Sequence, residues 1–160
     1  MGLYYPNTIP NAVWGSVAIV TLDDKVTPST ATRTSVTLES TYQAESATVA
    51  TKTIETSGYS KLNLDILYTM GATETSNSIE VKFEGSPDGV NFYGIPNESV
   101  SGGASTLTAR EFTFVGSDAA ATTISIGLDI FYKYMKIWGK ETGVASNKGT
   151  AYGEVTLAGK

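Results

Sequence analysis

Two runs of this chain set its architecture: Leu62-Asn63-Leu64-Asp65-Ile66-Leu67-Tyr68-Thr69-Met70, and Ile79-Glu80-Val81-Lys82-Phe83-Glu84-Gly85-Ser86-Pro87-Asp88-Gly89-Val90-Asn91-Phe92-Tyr93. In the first, Leu62, Leu64, Ile66, Tyr68 and Met70 share one parity. In the second, Ile79, Val81 and Phe83 alternate with Glu80, Lys82 and Glu84. A period of two is the signature of a half-buried antiparallel strand, because successive side chains point to opposite faces. Pro87-Asp88-Gly89 then reads as a turn. Proline presets φ, the Asp side chain accepts from its own backbone, and glycine tolerates positive φ.

Working outward, further strands are predicted at Val17–Leu22, Arg33–Leu38, Thr48–Glu55, Val90–Ile95, Leu107–Val115, Thr122–Leu128, Tyr134–Lys140 and Ala151–Ala158. Thr and Val dominate the earlier ones, and a branched Cβ suits a pleated surface. Pro96 is expected to end the Val90–Ile95 strand, and Ser99–Ser105, with Gly102-Gly103, to form a flexible loop. In Tyr134–Lys140 either Met135 and Ile137 or Tyr134 and Trp138 face inward. The only helix-like patch, Ala119-Ala120-Ala121, is too short to nucleate. About ten strands with turn signals between them predict an all-β chain: an antiparallel β-sandwich or jelly-roll-like single domain over residues 17–160. Residues 1–16 read differently. Tyr4, Tyr5, Pro6, Ile9, Pro10, Val13 and Trp14 are apolar without a period, and the prolines exclude a helix interior. We expect an extended N-terminal arm whose aromatics need cover, either on the domain itself or on a partner.

Among the 160 residues there is no cysteine and no histidine. Disulfides, thiolate zinc sites and cysteine nucleophiles are excluded, as is the Ser-His pair of a serine hydrolase. Catalysis would rest on carboxylates, Lys, Tyr or Ser alone. The net charge of −5 argues against nucleic-acid binding. Residues 1–129 hold 6 basic and 14 acidic groups, whereas residues 130–160 hold 5 and 2. That asymmetry could orient docking between subunits, or Lys133, Lys136 and Lys140 could simply line a solvated face. No apolar run approaches the roughly 20 residues of a spanning helix, and no signal peptide is evident, so no membrane association is expected.

Each candidate motif for chemistry has a plainer reading. Glu80 and Glu84 share a face but lie roughly 13 Å apart at the strand rise, and Lys82 stands between them. A glycosidase pair needs facing carboxylates. Asp88-Gly89-Val90-Asn91 lacks the ligand spacing of an EF-hand, so no metal is expected. Ser101-Gly102-Gly103-Ala104-Ser105 has no following Lys-Ser/Thr and opens no helix, so no phosphate cradle and no cofactor are expected. Tyr132, Tyr134 and Trp138 could stack on sugar rings, though strand aromatics usually serve core or interface.

Three segments carry a resemblance. Leu62–Tyr68 leads to Val81–Gly85 and then to Ser86, Asp88, Gly89, Asn91 and Phe92. Tyr132–Gly139 places an aromatic pair before Tyr-Met-Lys-Ile. Gly149–Gly159 closes the chain around Val155-Thr156-Leu157. This order resembles small β-sandwich structural proteins of tailed bacteriophage virions, especially capsid decoration or cement proteins, over roughly the last hundred residues. The resemblance implies a non-enzymatic protein, assembled in the host cytoplasm and seated on the capsid surface. It further implies a homo-oligomer, a trimer, that bridges subunits of the major capsid protein. Tyr4, Tyr5, Pro6 and Trp14 are the expected arm anchors, since Tyr and Trp dominate interface energies. A second expectation is a carbohydrate- or receptor-binding module of a tail fibre or spike; a third is a carboxylate enzyme.

Overall fold

The computed structural model describes residues 11–14, 16–18, 32–38, 40, 42–44, 53–101, 104–116, 121–143 and 146–159. The strands in chain order are β1 (Asn11–Trp14), β2 (Ser16–Ala18), β3 (Thr32–Thr34), β4 (Val36–Thr37), β5 (Gln43–Ala44), β6 (Ile54–Glu55), β7 (Lys61–Thr69) and β8 (Ser78–Ser86). They continue as β9 (Tyr93–Gly94), β10 (Pro96–Ser101), β11 (Ala104–Ala109), β12 (Glu111–Val115), β13 (Thr122–Asp129), β14 (Tyr134–Thr142) and β15 (Thr150–Ala158). The described residues contain no helix. Two antiparallel sheets pack face to face, as a β-sandwich requires. One runs β1-β15-β7-β13, with β4 beside β15. The other runs β12-β8-β14-β5, with β6 on β14 and β9 on β8.

The alternation read in the sequence is the alternation of burial. Leu62, Leu64, Ile66, Tyr68 and Met70 point into the core from β7 and its end. Ile79, Val81 and Phe83 meet them from β8, and Met135 and Ile137, not Tyr134 and Trp138, from β14. Ile124, Ile126, Leu128, Ala151 and Val155 complete the layer. Each fully buried aliphatic side chain contributes about 1.5–3 kcal/mol, so this layer carries the fold. Phe112 and Phe114 share a face and half-cover its margin. Phe112 meets Phe83 edge-on, with ring centroids 6.0 Å apart.

Several expectations are corrected. Most of Ser99–Ser105 is strand and not loop: β10 and β11 pair from Pro96↔Ala109 to Ser101↔Ala104, and Gly102-Gly103 between them lie outside the described residues. Pro96 opens a strand instead of ending one, a position that needs no ladder N–H from proline. Leu107–Val115 is divided at Arg110, whose N–H donates to Ile95 O at 2.8 Å. Of Val90–Ile95 only Tyr93–Gly94 is paired, because Asp88 takes the Val90 and Asn91 amides for itself. Arg33–Leu38 is two short pieces, β3 and β4. The larger parts of Val17–Leu22 and Thr48–Glu55, and Ala119-Ala120, lie outside the described residues.

Strand direction sorts the connections into two ends. Residues 56–60, 87–92 and 130–133 lie at one, which we call the presenting end; residues 70–77, 116, 121, 143 and 146–149 lie at the other, the tied end.

Candidate functional site

At the presenting end the chain builds a rigid turn from its own polar side chains. The Asp88 carboxylate accepts from Val90 N and Asn91 N, both at 2.9 Å, and from Asn91 Nδ2 at 2.8 Å. Ser86 Oγ donates to it at 2.8 Å and accepts from Gly89 N at 2.9 Å. These bonds, the backbone ones foremost, hold the Asp88 carboxyl well below the usual carboxylate range. Gly89 sits at φ +76°, where a side chain is strained, with the Tyr134 ring 3.3 Å from the place a Cβ would occupy. The Tyr132 ring covers Gly85 so closely that any Cβ there would collide with it.

The two neighbouring loops at this end are tied to each other. Thr56 N donates to Lys133 O at 2.9 Å, Thr56 Oγ1 to Tyr132 O at 2.7 Å, and Ile130 N to Ser60 O at 2.9 Å. The frame exposes apolar side chains. Val90 is 78% accessible, Tyr93 59%, and Phe131 83%, with Tyr59 at the margin. Large apolar side chains held out by several loops at one end of a sandwich mark an interaction surface more readily than scattered ones would.

On the outer face of the β12-β8-β14-β5 sheet the register sets Lys136 opposite Glu84, Trp138 opposite Lys82, and Lys140 opposite Glu80. Lys140 reaches Glu80 at 2.8 Å and Lys82 reaches Glu84 at 3.2 Å. Trp138 Nε1 donates to the other Glu84 oxygen at 2.8 Å. Tyr42 lies under both Lys82 and Lys140, whose Nζ atoms stand 4.6 and 4.5 Å from its ring centroid. Burial, then the hydrogen bond to Glu111, pushes the Tyr42 hydroxyl pKa far above its ordinary value. This is a mutually neutralised face. Glu80 and Glu84 act as partners of lysines and an indole, as the charge alternation suggested. The Trp138 N–H is committed to Glu84, and Lys82 stands 5.3 Å from its ring centroid. Tyr132 and Tyr134 pack over Gly85 and Gly89.

At the tied end two carboxylates are buried. Glu141 accepts from Tyr68 OH at 2.5 Å and Asn77 Nδ2 at 3.2 Å through Oε1, and from Gly149 N at 2.7 Å through Oε2. The contact joins β7 of one sheet to β14 of the other. Burial, then the bond to Glu141, drives the Tyr68 pKa far up. Glu74 accepts from Ser146 N at 2.7 Å and Asn147 N at 2.8 Å. All of these acceptors are engaged in holding backbone and side chains, which is a structural use. Among the described residues no group of three or more His, Cys, Asp or Glu side chains gathers as a metal cluster.

The arm anchors fall in two places. Tyr4, Tyr5 and Pro6 lie outside the described residues. Trp14 closes β1, which pairs antiparallel with β15 from Asn11↔Val155 to Trp14↔Gly153. Residues 11–14 of the expected arm are thus an edge strand of the chain's own sheet. Sequence reading missed Val90, Tyr93 and Phe131 as surface groups. The available signal was Phe131 itself, a large apolar residue in a connection, outside either strand's period. No family model and no curated protein matches this chain.

Proposed function

We propose that this chain is a non-catalytic binding domain of a virion, a decoration-type structural protein that docks on an assembled capsid. The single observation that carries the reading is the presenting end: Val90, Tyr93 and Phe131 are held exposed by loops that hydrogen bonds and ring contacts have already ordered. A surface ordered in advance loses little conformational entropy on docking. The resemblance of the strand order to capsid decoration proteins supplies the partner class, the major capsid protein. Tyr4, Tyr5, Pro6 and Trp14 are proposed as a second set of contacts, and repetition over a lattice multiplies weak single contacts into avidity.

Co-sedimentation of the full chain with assembled shells tests this. Phe131→Ser and Val90→Asp should weaken binding; truncating one anchor typically costs about 2 kcal/mol, roughly 30-fold. Tyr4→Ser with Tyr5→Ser should weaken it separately. Shell binding that is unchanged in all three variants removes the reading.

A further inference from the structure

The four outer strands of the two sheets differ in how they guard their free backbone. An unpaired edge is a template for another strand, and proteins blunt it with short strands, bulges, proline or lysine. β1 has a register shift between Ala12 and Trp14. On the β5 side the edge, among the described residues, consists of the two-residue pieces β5 and β6. β12 is five residues long and begins with Glu111. β13 has none of these devices. It runs eight residues, Thr-Thr-Ile-Ser-Ile-Gly-Leu-Asp, in unbroken register with β7 from Thr122↔Tyr68 to Asp129↔Lys61. Among the described residues β13 pairs with β7 alone. Alternate residues therefore turn their N–H and C=O groups outward. Its inward side chains, Ile124, Ile126 and Leu128, keep 4–7% exposure, whereas Leu62, Leu64, Ile66 and Tyr68 on the neighbouring β7 keep 0–1%. The apolar layer is buried here too, but a little more accessible than at β7.

We propose that the β13 edge is a homodimer interface, where β13 of a second copy of this chain pairs antiparallel about a twofold axis at Ile126. The strand's own pattern selects that occupant. With Ile126 opposite Ile126, Ile124 meets Leu128 twice, and the inward apolar rows of the two strands become neighbours. On the outer face Ser125 meets Gly127, and Asp129 meets Thr123, so no like charges oppose. Asp129 is already partnered by Lys61 at 2.6 Å. The two β1-β15-β7-β13 sheets become one continuous sheet. An isologous contact of this kind is self-limiting, because each copy's edge is used up by the other. It is independent of the capsid-docking reading, and it is twofold where the resemblance to decoration proteins implies a trimer.

Sedimentation equilibrium of the full chain and of the double variant Ser125→Lys, Gly127→Lys tests it. Both positions are exposed, and a Cβ at Gly127 meets only Asn63 Oδ1 at 3.9 Å. In the dimer each new lysine would directly face one from the other copy. The wild-type chain should weigh as a dimer and the variant as a monomer with unchanged circular dichroism. The chain has no cysteine, so Ser125→Cys mixed with Gly127→Cys should form a disulfide-linked pair, while neither alone does. A wild-type monomer or trimer, a dimer that survives the lysines, or self-linking of either cysteine variant overturns the proposal.

Discussion

The two ends of the sandwich solve the same problem, closing strands into loops, with opposite polarity. At the tied end the acceptors are inside. Glu141 and Glu74 are buried and take backbone amides from residues 146–149, so the connection is bound into the fold. At the presenting end the acceptor is outside. Asp88, itself exposed, organises residues 86–91, and Val90 among them is held out to solvent. A buried carboxylate with several donors ties two sheets, because leaving its donors unmatched in the interior is costly. A surface carboxylate whose donors all come from its own turn shapes a loop without tying it to the core. The first arrangement secures the fold, and the second leaves a shaped surface free to meet a partner.

The largest expected break lies at the tied end. Glu141→Ala strands the Tyr68 hydroxyl, the Asn77 amide and the Gly149 N–H; at about 1–3 kcal/mol per unmatched buried group, a loss of about 3–5 kcal/mol is expected in urea unfolding. At the presenting end Gly89→Ala forces a side chain into positive φ against the Tyr134 ring, and about 1–2 kcal/mol should be lost. Alkali sharpens the contrast. Tyr68 ionises near its ordinary value of 10.0 only when unfolded, so its contribution is intact below that pH and falls away above it. Tyr68→Phe should flatten the decline of melting temperature above pH 10. Acid acts on the other end. Asp88 is held low when folded, so its contribution is present above the ordinary carboxylate pKa of 3.8 and is lost below it. Asp88→Asn should remove that part of the acid response, read by amide exchange at Val90 and Asn91. The smallest stability effect belongs to Phe131→Ser, within about 0.5 kcal/mol, since its ring is already in water. A large change in melting temperature there would mean that the ring supports the fold.

The centre of this protein was legible from residue order because a strand's side chains alternate whatever their neighbours. The parity of Leu62 to Met70 and of Ile79 to Phe83 needs no partner to be read, and the Ser86–Asn91 turn is a local matter of one carboxylate and its nearest amides. Membership of the hairpin β10–β11 was hidden because Ser, Thr and Gly serve loops and ladders alike, and pairing with a strand across the turn makes the difference. The inward face of Met135 and Ile137 was likewise settled only when β8 lay alongside. The buried Glu141 was beyond reach of any pattern: its donors come from positions 68, 77 and 149, and folding alone brings them within a hydrogen bond. The exposed end follows the same logic, since the accessibility of Phe131 depends on which loops close over it. Local backbone geometry is written in neighbouring residues; polar satisfaction and exposure are properties of contacts between distant ones.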